Sequence, residues 1–189
     1  MFKRLLLLAS LCTQLCGCLG AAVVAGGTAA SMVLYDERPI SVMVTDQKIE
    51  HIASKSLDEN ASLKGHYIDV TSLNQRVLLT GRVASNTQRV LAYRLVKNVP
   101  QVLNVYNQIT VSSEPSLLQN TQDAWLTNKV RLALMNTKGL HSNQIRITTY
   151  QGVVYLMGIL TQHQQHIATQ TARKVPGAHK IVTLFEVAH

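Results

Sequence analysis

The sequence predicts an α+β protein built from one α-β-β-α-β unit used twice, each copy with two helices packed on a three-stranded mixed sheet. Self-similarity is the first observation behind this. Ile49, Ala53, Leu57, Ile68, Val70 and Gly81 recur as Leu126, Val130, Leu134, Ile145, Ile147 and Gly158, each 77 residues later. After the glycine the offset falls to 76, pairing Ser85 with Thr161, Val99 with Val175 and Pro100 with Pro176. A fixed period of this kind marks a duplicated domain. The second observation is a switch of hydrophobic period within each copy, from helical spacing to strand alternation. The third is punctuation: a capping box opens the second helix of each copy, and a Val-Pro pair closes it.

The elements follow in order. Pro39 disfavours helix at Arg38, so the first copy is placed at residues 42–111. Its first helix, about residues 46–57, and the counterpart at 123–135 each open at an Asp suited to capping. Leu126, Val130, Ala133 and Leu134 fall at i, i+4, i+7 and i+8, a core-facing set. Extended segments follow at Tyr67-Ile68-Asp69-Val70 and Ile145-Arg146-Ile147. Turns are expected at Leu73-Asn74 and Gln151-Gly152, leading into more apolar strands at 77–83 and 153–160. Gly81 and Gly158, within those strands, are assigned to backbone turns or close packing. Ser85-Asn86-Thr87-Gln88 and Thr161-Gln162-His163-Gln164 are the capping boxes, and the last strands lie at 102–111 and 178–187. Residues 112–121, with Pro115 and several polar side chains, read as a linker, and the second copy occupies 122–189. At about 70 residues, each copy has a small core, with one sheet face under two helices.

The N-terminus carries an address. Lys3 and Arg4 precede an apolar run from Leu5 to about Leu15, the pattern of an export signal. The run ends in Leu15-Cys16-Gly17-Cys18, which resembles a bacterial lipobox with Cys at −2 in place of the usual Ala, Ser or Thr. The resemblance implies that residues 1–17 are a lipoprotein signal peptide and that Cys18 becomes the acylated, palmitate-bearing N-terminus. Several acyl chains anchor stably where one is marginal. Leu19 follows, and the sorting rule known for enteric lipoproteins, which retains Asp here in the inner membrane, points to the outer membrane. The alternative is an uncleaved transmembrane helix running on through Val24, against which Gly17, Gly20, Gly26 and Gly27 argue. Residues 18–41 are the lipidated N-terminus and an Ala/Gly-rich tether. Cys12, Cys16 and Cys18 all lie in this region, so the expected mature chain has no disulfide, thiolate metal site or cysteine nucleophile.

Composition narrows the partner. With 47% hydrophobic and 15% charged residues, the chain fits globular domains rather than disorder. The net charge of +8 favours anionic partners: nucleic acid, acidic polymer or anionic lipid. An export signal and few stacking aromatics argue against nucleic acid.

The α-β-β-α-β order, the glycine near the end of the second strand and the Val-Pro turn before the last strand resemble the BON domain. Two copies behind a lipobox resemble the dual-BON-domain outer-membrane lipoprotein family, the DolP/YraP type, over essentially the whole chain. The resemblance implies a periplasmic face, anionic-phospholipid binding through the second copy, a link to cell-division sites and a role in envelope integrity.

Comparing the copies locates the binding helix. Trp125, Leu132 and Met135 make a second apolar stripe at i, i+7 and i+10, with Lys129 and Arg131 close by. The first copy has Lys48, Lys55 and Asp58 at the stripe positions, so the fold does not require apolar residues there. Trp suits a membrane interface because its ring is apolar while its N–H stays wet. The second copy is also the more basic, with seven Lys and Arg against Asp123 and Glu186. The expected phospholipid-binding residues are therefore Trp125, Lys129, Arg131, Leu132 and Met135, and the expected partner is an anionic membrane of phosphatidylglycerol or cardiolipin type. The alternative packings are against the first copy or Leu117-Leu118. A further reading makes the chain a periplasmic scaffold or regulator whose apolar helix docks another envelope protein.

Other chemistry is thin. His163 and His166 stand at i, i+3, but no carboxylate or Cys completes a metal set. His51, His66, His141, His179 and His189 are scattered and read as ordinary surface residues. No G-x-S-x-G, H-E-x-x-H or Walker A pattern occurs. The expectation is a monomeric, non-enzymatic protein without cofactor or metal.

Overall fold

Helical spacing of Ile49, Ala53 and Leu57 is realised in α1 (Ile40–Asp58) of the computed structural model, which describes residues 39–112 and 117–188. The leader, Cys18 and the tether as far as residue 38 lie outside the described residues, and Ile40 and Ser41, read as the end of the tether, belong to α1. β1 (Tyr67–Leu73) and β2 (Arg76–Val83) form an antiparallel hairpin. α2 (Asn86–Lys97) then crosses back, and β3 (Asn104–Asn107) and β4 (Thr110–Val111) both run parallel to β2. The second copy repeats the order with α3 (Leu117–Met135), β5 (Ile145–Tyr150), β6 (Val153–Leu160), α4 (Gln162–Arg173) and β7 (Lys180–Val187). β5-β6-β7 is a mixed three-stranded sheet. In the first copy the single last strand expected at 102–111 is broken. Asn107 turns its side chain back to the backbone, accepting from Ile109 N at 3.3 Å and donating to Arg89 O at 3.0 Å.

Both capping boxes are formed. Ser85 Oγ accepts from Gln88 N, Thr161 Oγ1 accepts from Gln164 N, and each Gln side chain accepts from the cap's own N–H. The two Asp residues behave differently from the expectation. Each helix begins six residues earlier than the Asp that was to cap it, so Asp46 and Asp123 sit inside their helices and are buried. Their carboxylates hold the hairpin turns. Asp46 accepts from Asn74 N, Gln75 N and Ser72 Oγ, all at 2.8 Å. Asp123 accepts from Gln151 N at 2.7 Å and Gly152 N at 2.8 Å. The turns need this help because both central residues have positive φ: Asn74 and Gln75 in the first copy, Gln151 and Gly152 in the second. The first turn is thus Asn74-Gln75, one residue later than expected. α3 likewise begins inside the stretch read as linker.

Period-two alternation sends successive strand residues to opposite sheet faces. Val77, Leu79 and Val83 join Ile49, Ala53, Leu57, Ala92 and Val96 in one core. Val154, Leu156 and Leu160 join Leu126, Val130, Leu134, Ala168 and Ala172 in its counterpart. The opposite sheet faces are also covered, which the sequence reading did not anticipate. Leu73 and Leu78 of one sheet pack on Tyr150, Tyr155 and Met157 of the other. The result is four layers: helices, sheet, sheet, helices.

Equivalent positions meet at this sheet-to-sheet contact. Thr71 Oγ1 lies 3.2 Å from Thr148 Oγ1, and these two residues are 77 apart, the repeat length itself. Leu73 and Tyr150 are equivalent in the same sense, as are Leu78 and Tyr155. The contact is therefore self-facing, the geometry of a two-fold interface inside one chain. Its polar rim has diverged. Glu186 takes Asn74 Nδ2 at 3.2 Å and makes a 2.9 Å ion contact with Arg76 Nε, off the line of a hydrogen bond. Arg146 reaches Glu50 at 3.1 Å. Asp69, on this face of β1, has its carboxyl pKa raised by burial, which nearby Arg146 only partly offsets.

Candidate functional site: the outer face of α3

Helix α3 is amphipathic in two directions. Leu126, Val130 and Leu134 are buried in the second core. Trp125, Leu132 and Met135 point away from it and are 64%, 59% and 56% exposed. These three do not pack on the first copy, because the copies join through their sheets and α3 lies on an outer layer. Arg131 is exposed beside them. Lys129 is half-buried, with its ammonium 5.4 Å from the Trp125 ring centroid. At that distance the ring face attracts the cation, which restrains both side chains. On α1, Lys48, Lys55 and Asp58 occupy the corresponding places and are exposed. At these three positions the same helix is polar in one copy and apolar in the other.

A cavity of about 280 Å³ opens beside Trp125. Its walls include Trp125, Lys129 and Leu126 from α3, Gly152 from the hairpin turn, and Gly177 and His179 from the approach to β7. Lys129 was anticipated here. His179 and Gly177 were not, since nothing in their local sequence ties them to α3. A second cavity, about 230 Å³, lies between the copies and is lined by Tyr67, Asp69, Thr127, Thr148 and Tyr150 among others. His163 and His166 are exposed on α4. Among the described residues no group of three metal-ligating side chains converges. None of the described helices is long and apolar enough to cross a membrane.

Two copies of one α-β-β-α-β unit, facing each other through their sheets, define the class. A family model described as BON domain matches residues 45–113 and again 122–189. The chain is 31% identical over 185 residues to the Outer membrane lipoprotein DolP of Haemophilus influenzae, covering 97% of this chain and 95% of that one. It belongs to this dual-BON-domain lipoprotein family. It is also 27% identical over 148 residues to a 21 kDa hemolysin of Actinobacillus pleuropneumoniae, covering 78% and 76% of the two chains. Among solved structures, a likeness to CdsD, a structural protein of the Type III secretion system of Chlamydia trachomatis, has a TM-score of 0.31 at 10% identity. It covers 75% of this chain and 92% of that one.

Proposed function

We propose that the chain is a non-enzymatic lipoprotein of the outer membrane, tethered by acylated Cys18 and facing the periplasm, that binds anionic phospholipid through the outer face of α3. The observation that carries this reading is the exposed Trp125, Leu132 and Met135 set beside Lys129 and Arg131. Apolar side chains flanked by cations suit the boundary between acyl chains and anionic headgroups. Each Lys or Arg held near such a surface adds about 1 kcal/mol. The name of the Haemophilus influenzae relative supports the address, and residues 15–18 supply the lipobox. A contribution to envelope integrity, with recruitment to division sites, belongs to the same reading.

Two measurements test it. The unit Arg38–His189 should float with phosphatidylglycerol or cardiolipin vesicles and not with phosphatidylcholine vesicles. Trp125, the only Trp, should shift its emission to the blue on binding. Absence of both effects, with stoichiometric capture of one envelope protein by the Trp125 face, would replace lipid binding with a scaffold role.

A further inference from the structure

The residues that line the cavity beside Trp125 have counterparts in the first copy, and the two sets have diverged in a consistent way. Their equivalence is fixed by the backbone. His179 N donates to Gly152 O at 2.9 Å, and Leu103 N donates to Gln75 O at the same distance. His179 therefore stands where the first copy has Leu103, and Gly152 stands where it has Gln75. By the repeat offsets, Lys129 replaces Ile52 and Gly177 replaces Gln101. Two apolar side chains have become basic or titratable ones, and two glutamines have become glycines.

The glycines are not demanded by the turns. Gln75 and Gln101 hold the same left-handed backbone at φ 62° and 69° in the first copy. Gly152 has a different reason. A Cβ there would meet His179 Nδ1 at 2.7 Å and Cε1 at 3.0 Å. The His179 ring thus lies in the space that a side chain at 152 would take. At Gly177 a Cβ would meet only Leu126 Cδ1, at 3.8 Å, so a longer side chain there would extend into open space at the cavity wall. The second copy has removed the side chains at 152 and 177, filled the first space with the His179 ring and left the second open, and it has placed nitrogen donors along the cavity wall.

We propose that the groove seats the phosphate of an anionic phospholipid headgroup, held between the Lys129 ammonium and the His179 imidazole. This rests on the lipid reading of α3. It adds that the lipid phosphate is held at a shaped site, beside the contact made by the apolar face. The Lys129 ammonium gives a charge-assisted hydrogen bond to a phosphate oxygen, and the His179 N–H gives a second. Asp123 also borders the groove, but its carboxylate accepts the Gln151 and Gly152 N–H groups, which direct its charge toward the turn. Trp125, at the mouth, stands where the glycerol and upper acyl chain leave the headgroup. Occupation by lipid rather than free phosphate follows from that juxtaposition, because a bare anion leaves the indole in water.

The test places the first copy's side chains at the cavity wall of the second. Gly177→Gln with His179→Leu uses residues that this chain already carries at the equivalent backbone positions, and it leaves the α3 stripe intact. His179→Leu alone is the companion should the double variant fold poorly. Flotation of the Arg38–His189 unit with phosphatidylglycerol/phosphatidylcholine vesicles is expected to fall about tenfold. Monomeric dihexanoyl-phosphatidylglycerol is expected to shift the Gly177 and His179 amide resonances of the unaltered protein. Undiminished flotation of the variants would overturn the proposal while leaving the α3 lipid contact standing. Failure of the unaltered unit to bind either vesicle would instead remove the contact itself. Inorganic phosphate shifting the same resonances at equal or lower concentration than the lipid would overturn the lipid assignment.

Discussion

Replacing Trp125 with Glu separates membrane contact from folding. With 64% of its surface exposed, Trp125 offers roughly 150 Å² of apolar area, worth about 4 kcal/mol at about 25 cal/mol per Å² if fully inserted. Insertion only to the headgroup boundary halves this to about 2 kcal/mol. A carboxylate beside anionic lipid adds a penalty of about 1 kcal/mol. The expected loss is therefore about 3 kcal/mol, or more than a hundredfold in partitioning. Folding should be nearly untouched. The ring joins neither core, and losing its contact with Lys129 costs about 0.5 kcal/mol, a Tm change of no more than about 2 °C. Vesicle flotation and thermal unfolding, run side by side on Trp125→Glu, read the two quantities. Undiminished flotation with phosphatidylglycerol vesicles would refute the argument, because no other exposed aromatic stands on that face.

Three further outcomes follow from the fold. Asp46→Ala strips three hydrogen bonds from the Asn74-Gln75 turn and should cost about 3 kcal/mol in urea unfolding. A cost below about 1 kcal/mol would mean that the turn holds itself. Glu186→Ala leaves Arg76 and Asn74 without their partner across the sheet contact, and should cost about 2 kcal/mol with no change in headgroup preference. Asp69 gives a pH signature. Its folded pKa is raised by burial, so stability falls as pH rises from the unfolded to the folded pKa and stays lower above it. Asp69→Asn should therefore raise Tm at pH 7 and leave it nearly unchanged well below the ordinary carboxyl value of 3.8. The same Tm difference at both pH values would contradict the assignment.

The repeat, the capping boxes and the strand pairs were legible because each is a local or periodic signal. Ser85 and Gln88 declare a helix start within four residues. Asp46 and Asp123 misled because an Asp ahead of an apolar helical run reads as a cap. Their true partners lie on a turn far along the chain, and spacing cannot encode that. The sheet-to-sheet contact left a trace that went unread. Val77-Leu78-Leu79 and Val154-Tyr155-Leu156 are apolar on consecutive residues, which means burial on both faces. The α3 stripe was legible because the first copy served as a control. The groove was not, because His179 meets α3 only through the tertiary fold.

The contact between Thr71 and Thr148 has a consequence for evolution of the outer surfaces. A homodimer closed through the same self-facing sheets would have to display every outward side chain twice, once on each flank. Any greasy helix it acquired would come as a matched pair facing opposite ways. Joining the halves in one chain frees each flank to mutate alone, so the molecule can have a front and a back while the sheets in its middle still face each other through equivalent positions.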